Sequence, residues 1–398
     1  MANSEDTTIK TYEFKLRLNK SFVEACEREL EHSRQIYNAA LAERISCYQI
    51  TGASLGYNEQ SRHLTDARTL PEVKSHLRTI QQDALERVEG AFKGFFRRVK
   101  NGEKPGFPRF KGKDRYHTFS QKYEKVRPCP IKGDKLTVPG VGSCRARLSR
   151  PIEGKCKQLR ITRRVDGWYA LIVCEIPKPE PLPPTGRTVG VDVGISSFAT
   201  LSNGEEIENP RHLKSALDNL QRRQRRLSRR QKGSKRRAKQ RIKVAKAHLK
   251  VSRCRKDFQH KVSTDLVRRF DAITVEDLNI RGMVKNQRLA RAISDVAWGS
   301  FFRMTRSKAE YAGRRFERVD PRYTSQNCSK CGQRQKMPLA VRIYECGKCG
   351  AVIGRDHNSA ITIDRAGQAR ICARGERQRS MKRERECRTQ LEPKQGGN

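Results

Sequence analysis

Two CxxC pairs, Cys328/Cys331 and Cys346/Cys349, constrain this chain more than anything else in it. Fourteen residues separate the pairs, within the stretch CSKCGQRQKMPLAVRIYECGKCGAVIGRDHN. Four thiolates at that spacing close a tetrahedral shell around Zn²⁺, and the glycine after each pair, Gly332 and Gly350, permits the tight knuckle turn. Redox thiols are the competing reading of a CxxC pair. Four protein ligands leave no open coordination position, so the expected role is structural. Its consequence is positional: Asp356 stands seven residues after the last cysteine, where a metal-stapled ribbon over 323–352 delivers its carboxylate to a fixed place.

Two other acids sit where an acid is costly. Asp192 lies inside the apolar strand pattern of RTVGVDVGISSFATLSN, and Glu276 ends DAITVED. A carboxylate in a buried strand needs a compensating partner, and a metal ion supplies one. Converging carboxylates bind hard cations such as Mg²⁺ or Mn²⁺, and two such ions about 4 Å apart activate a water and stabilise the leaving oxygen of a phosphodiester. Taken singly, each acid has a plainer reading: an Asp in GxDxG can be a turn residue, and Asp277 competes with Glu276 because neighbours on a strand face opposite ways. Glu276 is preferred because it directly follows the ITV run.

Charge narrows the partner. Lys and Arg number 86 against 43 Asp and Glu, a net charge of +43, which a polyanion such as nucleic acid neutralises. The basic residues are concentrated. Residues 211–256 hold 20 Lys and Arg and one acid, yet Leu213, Leu217, Leu220 and Leu227, then Ile242, Ala245 and Leu249, keep helical spacing. This predicts two antiparallel helices, each with one apolar seam and a basic outside that meets phosphate, Arg222, Arg226, Arg230 and Arg237 among it. A solvated charged face is the alternative. A second segment, FFRRVKNGEKPGFPRFKGK, interleaves aromatics and cations. Arg97, Arg98, Lys104, Phe107, Arg109 and Lys111 suit base stacking and phosphate contact, unless Phe107 and Phe110 only pin a Pro/Gly loop to the core. No 18-residue apolar run and no signal peptide is present, which argues against a membrane role. The nine remaining cysteines, such as Cys26, Cys174 and Cys254, are scattered as reduced cytosolic thiols would be.

The chain reads as multidomain, α/β plus β. Residues 11–19 alternate as a strand, and 21–100 have helical spacing. Residues 101–176 carry short strands, the last two joined by a Val165-Asp166-Gly167 hairpin turn. The smallest consistent picture is a β-barrel from 1–20 and 101–176 with a helical bundle inserted at 21–100. Residues 177–186 (PKPEPLPPT and one residue more) form a stiff linker. An α/β domain spans 187–322 and 353–365, with a helix expected over Ser294–Arg314 and another starting at Asn358 and fading by Ile363. The basic tail, 366–398, is expected to be disordered.

The motifs GVDVGI, ITVEDL, SQNCSKCG with ECGKCG, and RDHNSA resemble the RuvC-like nuclease half of the TnpB family, the transposon-encoded ancestors of type V CRISPR effectors. FFRRVKNGEKPGFPRFK and SDVAWGSFF resemble other segments of that family, and the likeness runs from about residue 10 to residue 365. It implies an RNA-guided DNA endonuclease with an RNase H-like (RuvC) domain. Asp192, Glu276 and Asp356 would be its magnesium- or manganese-binding catalytic triad and the four cysteines its zinc ribbon. The inserted bundle would be the recognition lobe and the barrel the wedge domain, together holding guide RNA and reading a short motif beside the target DNA. Base pairing would then choose the sequence. The resemblance further implies a monomer in a prokaryotic cytoplasm, associated with the nucleoid. One departure is Gly354, where the family commonly has an acid ahead of the Arg-Asp pair.

Two other functions share parts of this pattern. A guide-directed DNA-binding repressor that does not cut would lack at least one of the three acids, and all three are present. A DDE-type transposase would use the same carboxylate chemistry without RNA.

Overall fold

The computed structural model describes residues 7–123, 129–287, 289–338 and 341–391, with side chains at all of these except 211–213, 291 and 375–391. The chain divides after Lys178 into two compact units. Among the described residues no helix is long and apolar enough to cross a membrane.

The first unit is built on an antiparallel seven-stranded sheet and four helices. Strand β1 (Thr7–Arg17) alternates so that Tyr12, Phe14 and Leu16 face inward. Asn19 then caps α1 (Lys20–Thr51), its side chain accepting from the Phe22 N–H at 2.8 Å, and Gly52 ends the helix in the left-handed region. Three helices follow, α2 (Tyr57–Ala67), α3 (Pro71–Lys74) and α4 (Arg78–Lys100). The remaining strands are β2 (Thr118–Lys122), β3 (Ile131–Lys132), β4 (Lys135–Val138), β5 (Gly142–Arg147), β6 (Lys155–Arg164) and β7 (Gly167–Pro177), in the spatial order β2-β6-β7-β1-β5-β4-β3. The β6–β7 hairpin turns at Val165-Asp166, with Arg164 opposite Gly167.

Two expectations change here. Among the described residues no ladder joins β2 to β3, so the sheet is open where a closed barrel was expected; β3 is two residues long and its pairing is taken up by β4. The helices and the sheet also share one hydrophobic core, in which Phe22, Leu41, Ile80 and Val88 join Tyr12, Phe119 and Ile172. The 21–100 segment is thus not a separately cored body.

The second unit carries a five-stranded sheet in the order β10-β9-β8-β11-β12. Its strands are β8 (Thr188–Val193), β9 (Ser197–Leu201), β10 (Glu206–Glu208), β11 (Ala272–Glu276) and β12 (Arg315–Val319). β8, β11 and β12 run parallel; β9 pairs antiparallel with β8, and β10 pairs antiparallel with β9. Helices α5 (Arg211–Ser228) and α6 (Lys235–Arg269) connect β10 to β11; α7 (Ile280–Met283), α8 (Ala290–Val296) and α9 (Trp298–Tyr311) connect β11 to β12. The ribbon hairpin, β13 (Ile343–Glu345) and β14 (Val352–Gly354), leads straight into α10 (Arg355–Leu391).

Strand alternation sorts the two faces. Val189, Val191, Val193, Ile273 and Val275 belong to the core shared with Leu266, Phe301 and Phe302. Their neighbours Gly190, Asp192, Thr274 and Glu276 therefore face the other way, where α10 lies. Glycine makes that close approach feasible at both crossings. A Cβ on Gly190 would run into the Ala360 carbonyl and Asp364 of α10, and one on Gly367 would run into Thr274 of β11.

Several boundaries differ from the sequence reading. The expected 177–186 linker is tied to the second unit beyond Lys178: Leu182 N–H donates to Ala312 O at 3.0 Å, Arg314 donates to Pro183 O at 2.7 Å, and Asp271 accepts from the Thr185 and Gly186 N–H groups. The helix expected over Ser294–Arg314 is broken at Ala297, which takes a left-handed φ of 56°. The seam of α6 is Val244, Ala247 and Val251 packed on Ala216 and Leu220. Ile242 is instead exposed, while Leu213 lies outside the described side chains. The tail expected to be disordered continues α10 to Leu391, and 392–398 lie outside the described residues. Few large apolar residues mark that stretch because its anchors are a glycine and polar groups: Gln368 donates to Thr188 Oγ1 at 2.7 Å, and Arg374 pairs with Glu317 at 2.7 Å.

Candidate active site

The four thiols come together first. Among the described residues, Cys328, Cys331, Cys346 and Cys349 are the one group of three or more potential metal ligands whose donor atoms all lie within 4.8 Å of one another. Two Sγ···Sγ separations, Cys328–Cys349 and Cys331–Cys346, are 3.6 Å. Zn–S bonds of about 2.3 Å in a tetrahedron require sulfurs about 3.8 Å apart, so the thiols fit zinc. The two knuckles repeat one geometry. Gly332 N–H donates to Cys328 O and Gly350 N–H to Cys346 O, each at 2.9 Å, with both glycines at positive φ. The Cys349 and Lys348 N–H groups hold the Cys346 thiol below the ordinary cysteine range. Tyr344, fully buried under the cluster, donates to Gln326 O at 3.0 Å and packs with Ala351.

The ribbon is fastened to the start of α10 by residues that flank Asp356. Asn358 is fully buried; its Nδ2 donates to Asn327 O and its Oδ1 accepts from Ser329 N–H, both at 2.8 Å. Arg355 donates to Pro338 O at 3.1 Å and to Ser325 Oγ at 3.4 Å, and its own N–H reaches Arg342 O at 2.8 Å. Asn358 was missed in the sequence, although a buried asparagine amide two residues beyond a placed aspartate is a clamp in its own right. Asn358→Ala leaves the Ser329 N–H and Asn327 carbonyl without partners, at about 1–3 kcal/mol per orphaned group. The expected result is a lower melting temperature with the cysteine cluster still loading zinc, checked by thermal melting and metal analysis.

Asp192, Glu276 and Asp356 line one cleft of about 470 Å³, together with Thr324, Arg342, Arg355 and Ser359. The parallel register sets Val191 beside Val275, and Asp192 and Glu276 follow these two valines in the chain, on the α10 face. Asp356 enters from the first turn of α10. Burial, and then the charges of Glu276 and Asp356, push the Asp192 carboxyl well above its usual range, against the opposing pull of the Ser359 hydroxyl and Arg355. Burial likewise raises Glu276, whose Oε1 accepts from Thr324 Oγ1 at 2.5 Å. Arg342 Nη1 lies 3.7 Å from Asp356 Oδ2. Asp277, the competitor of Glu276, is exposed and pairs with Arg318 at 3.2 Å. At Gly354 an added Cβ meets no side chain closer than His357 Cβ at 4.0 Å, so the position admits a side chain sterically.

The basic residues are spread along each unit. On α5, Arg222 and Arg226 are exposed, as is Arg230 just past its C-terminal end. Arg237 turns inward instead, donating to Leu227 O at 2.9 Å and Arg230 O at 2.7 Å, where it caps the carbonyl end of α5. In the first unit Arg97, Lys104 and Arg109 are exposed, and Arg98 donates to Gly106 O at 3.0 Å. Phe107 packs edge-on against Phe92 and Phe95 with half its surface open, so it both pins its loop and presents a ring. Lys111 is anchored through its backbone to Asn38 and Arg34, with its ammonium 5.5 Å from the Tyr37 ring.

Comparison with known proteins places this geometry. A family model described as "Probable transposase" (OrfB of IS605) matches residues 171–287, and one described as "Cas12f1-like, TNB domain" matches 298–363. A protein of Streptomyces pristinaespiralis is 34% identical over 366 residues, covering 89% of each chain. The chain belongs to the TnpB family. That Streptomyces relative is named "Putative RNA-guided DNA endonuclease", and a relative from Escherichia coli K12, 28% identical across 91% of this chain and 94% of its own, is named "Putative RNA-guided DNA endonuclease InsQ". The fold of this TnpB-family chain is similar to that of Cas12f1 in a cryo-EM structure of its complex with sgRNA and target DNA. That likeness has a TM-score of 0.58 and 15% identity, over 90% of this chain and 99% of the other.

Proposed function

We propose that this TnpB-family chain is an RNA-guided DNA endonuclease whose cleft hydrolyses a phosphodiester at Asp192, Glu276 and Asp356. The observation that carries the reading is the meeting of three carboxylates from β8, β11 and α10 in one cleft, within a protein of net charge +43. The sheet order β10-β9-β8-β11-β12, with β9 alone running against the other four, fits an RNase H-like (RuvC) domain. Two relatives that match most of the chain are named as RNA-guided DNA endonucleases.

The donor set suits hard divalent cations. Two of the three acids are held above their normal range by burial, and Asp192 by the charges of the other two as well, a conflict that binding of Mg²⁺ or Mn²⁺ by these acids would relieve. Bound there, two such ions would supply an activated water and charge to neutralise the leaving oxygen. The chain's own residues do the rest. Thr324 and Ser359 orient Glu276 and Asp192 by hydrogen bonds, Arg342 and Arg355 set positive charge beside the carboxylates for a phosphate, and the zinc ribbon with Asn358 fixes Asp356. The exposed cations of α5 and of the 97–111 segment would hold guide RNA and target DNA through their backbones. The first unit supplies the wedge and recognition functions, and the complex is a monomeric ribonucleoprotein of the prokaryotic cytoplasm.

The test is to reprogram the RNA. The protein is co-expressed with RNAs that differ only in their guide sequence, and the cut site in a plasmid is mapped for each. Cuts that follow the guide support the reading. Cuts that stay at the transposon ends whatever the guide return a DDE-type transposase to first place.

A further inference from the structure

The cleft holds a polar group that its carboxylate chemistry leaves unused. Trp298 lines it beside Asp192, Glu276 and Asp356. The side chain is 3% exposed, and its indole N–H is buried without a hydrogen-bond partner. A buried unpaired donor lowers stability, and native proteins rarely keep one without a use.

The backbone that presents this ring is itself costly. Ala297, immediately before it, takes φ 56° and ψ 47°, a left-handed conformation that disfavours any residue with a Cβ. The fully buried Gln259 of α6 holds the bend, its Nε2 donating to Val296 O at 3.0 Å and Ala297 O at 3.2 Å. This break separates α8 from α9 and makes Trp298 the first residue of α9. A continuous helix, as the periodicity of 294–314 alone implies, would carry residue 298 in a different direction. Strain at Ala297 and an orphan donor on Trp298 thus fall on neighbouring residues, the second of which lines the cleft.

We infer that Trp298 is a substrate-positioning residue, its indole N–H donating to a sugar-phosphate oxygen of the DNA strand in the cleft. The identity of the ligand rests on the nuclease reading above. An indole suits this place because it carries one donor and no acceptor, so it donates to a phosphate or sugar oxygen and offers no lone pair to a metal ion. Its apolar body meanwhile belongs to the hydrophobic core that contains Val296, Phe301 and the strand valines.

The chain has two tryptophans, Trp168 and Trp298, so Trp168→Phe isolates the emission of Trp298. The RNA-bound Trp168→Phe protein is titrated in EDTA with matched single-stranded DNA, conditions that separate binding from cutting. A change in Trp298 emission is expected. Trp298→Phe keeps the ring and removes the donor. It is expected to slow single-turnover cleavage at saturating target roughly ten- to hundredfold, with target binding and melting temperature unchanged. A Trp298→Phe rate within twofold of the parent overturns the inference. Where the substitution lowers the melting temperature, the emission titration decides, and an unchanged signal overturns it. Emission that responds to DNA in a protein that cuts no programmed target supports the contact and defeats the nuclease reading instead.

Discussion

Asp192→Asn is expected to cut metal-dependent DNA cleavage by roughly a thousandfold or more, while leaving the metal-free protein harder to melt at neutral pH than its parent. The two effects have one cause. Asp192 is raised above its unfolded range by burial and by Glu276 and Asp356, so the native state binds its proton more tightly than the unfolded chain does. The sign follows by linkage. The cost of the charged form is absent below the unfolded pKa and complete above the folded one, so stability falls as pH rises through that window. Asparagine keeps the shape and removes the charge. In EDTA the parent should therefore lose stability from acid to neutral pH more steeply than Asp192→Asn. Added Mg²⁺ should raise the melting temperature of the parent by binding its native state, and do little for the variant. Equal cleavage by the two proteins would remove Asp192 from the chemistry.

Cys346→Ser is expected to have the second large effect, at a distance. Zinc-thiolate binding contributes about 10–16 kcal/mol in small domains, and no other force of that size holds the 328–349 knuckles. Among the described residues, the small core around Tyr344 has Cys328, Cys346 and Ala351 as its other buried members. Losing the ribbon releases Asn358, Arg355 and Arg365, side chains that fasten α10 to it, and so frees Asp356. The expected outcome is loss of about one zinc per chain, new protease cleavage within 328–352, and a large loss of DNA cleavage. Full activity in a zinc-free protein would show that Asp356 is placed by α10 alone.

The chain reveals its site more readily than its packing. VGVDVG and ITVE already alternate, so the face that carries Asp192 and Glu276 is readable from the valines on the other face. CxxCG repeated twice specifies the knuckles down to their glycines. Gly190 was legible only as part of a motif; its reason, the backbone of α10 pressed against it, is a long-range contact that no local pattern encodes. The same holds for Gly367, Gln368 and Arg374, which dock a stretch that composition reads as a disordered tail. On α6 the basic residues leave several possible seams of similar hydropathy, and only the partner helix selects Val244, Ala247 and Val251 over Ile242. The break at Ala297 carries no glycine or proline to announce it. Local chemistry is written in residue types, whereas close approach is written in pairs far apart in sequence.

The most direct test of the central claim is cleavage of a supercoiled plasmid by the protein purified with its co-expressed RNA, in Mg²⁺. Matched and mismatched targets are compared, alongside a matched reaction in which RNase treatment precedes the DNA. The account predicts cutting of the matched plasmid alone, lost after RNase treatment. Cutting that persists without RNA, or that ignores the mismatch, would contradict it.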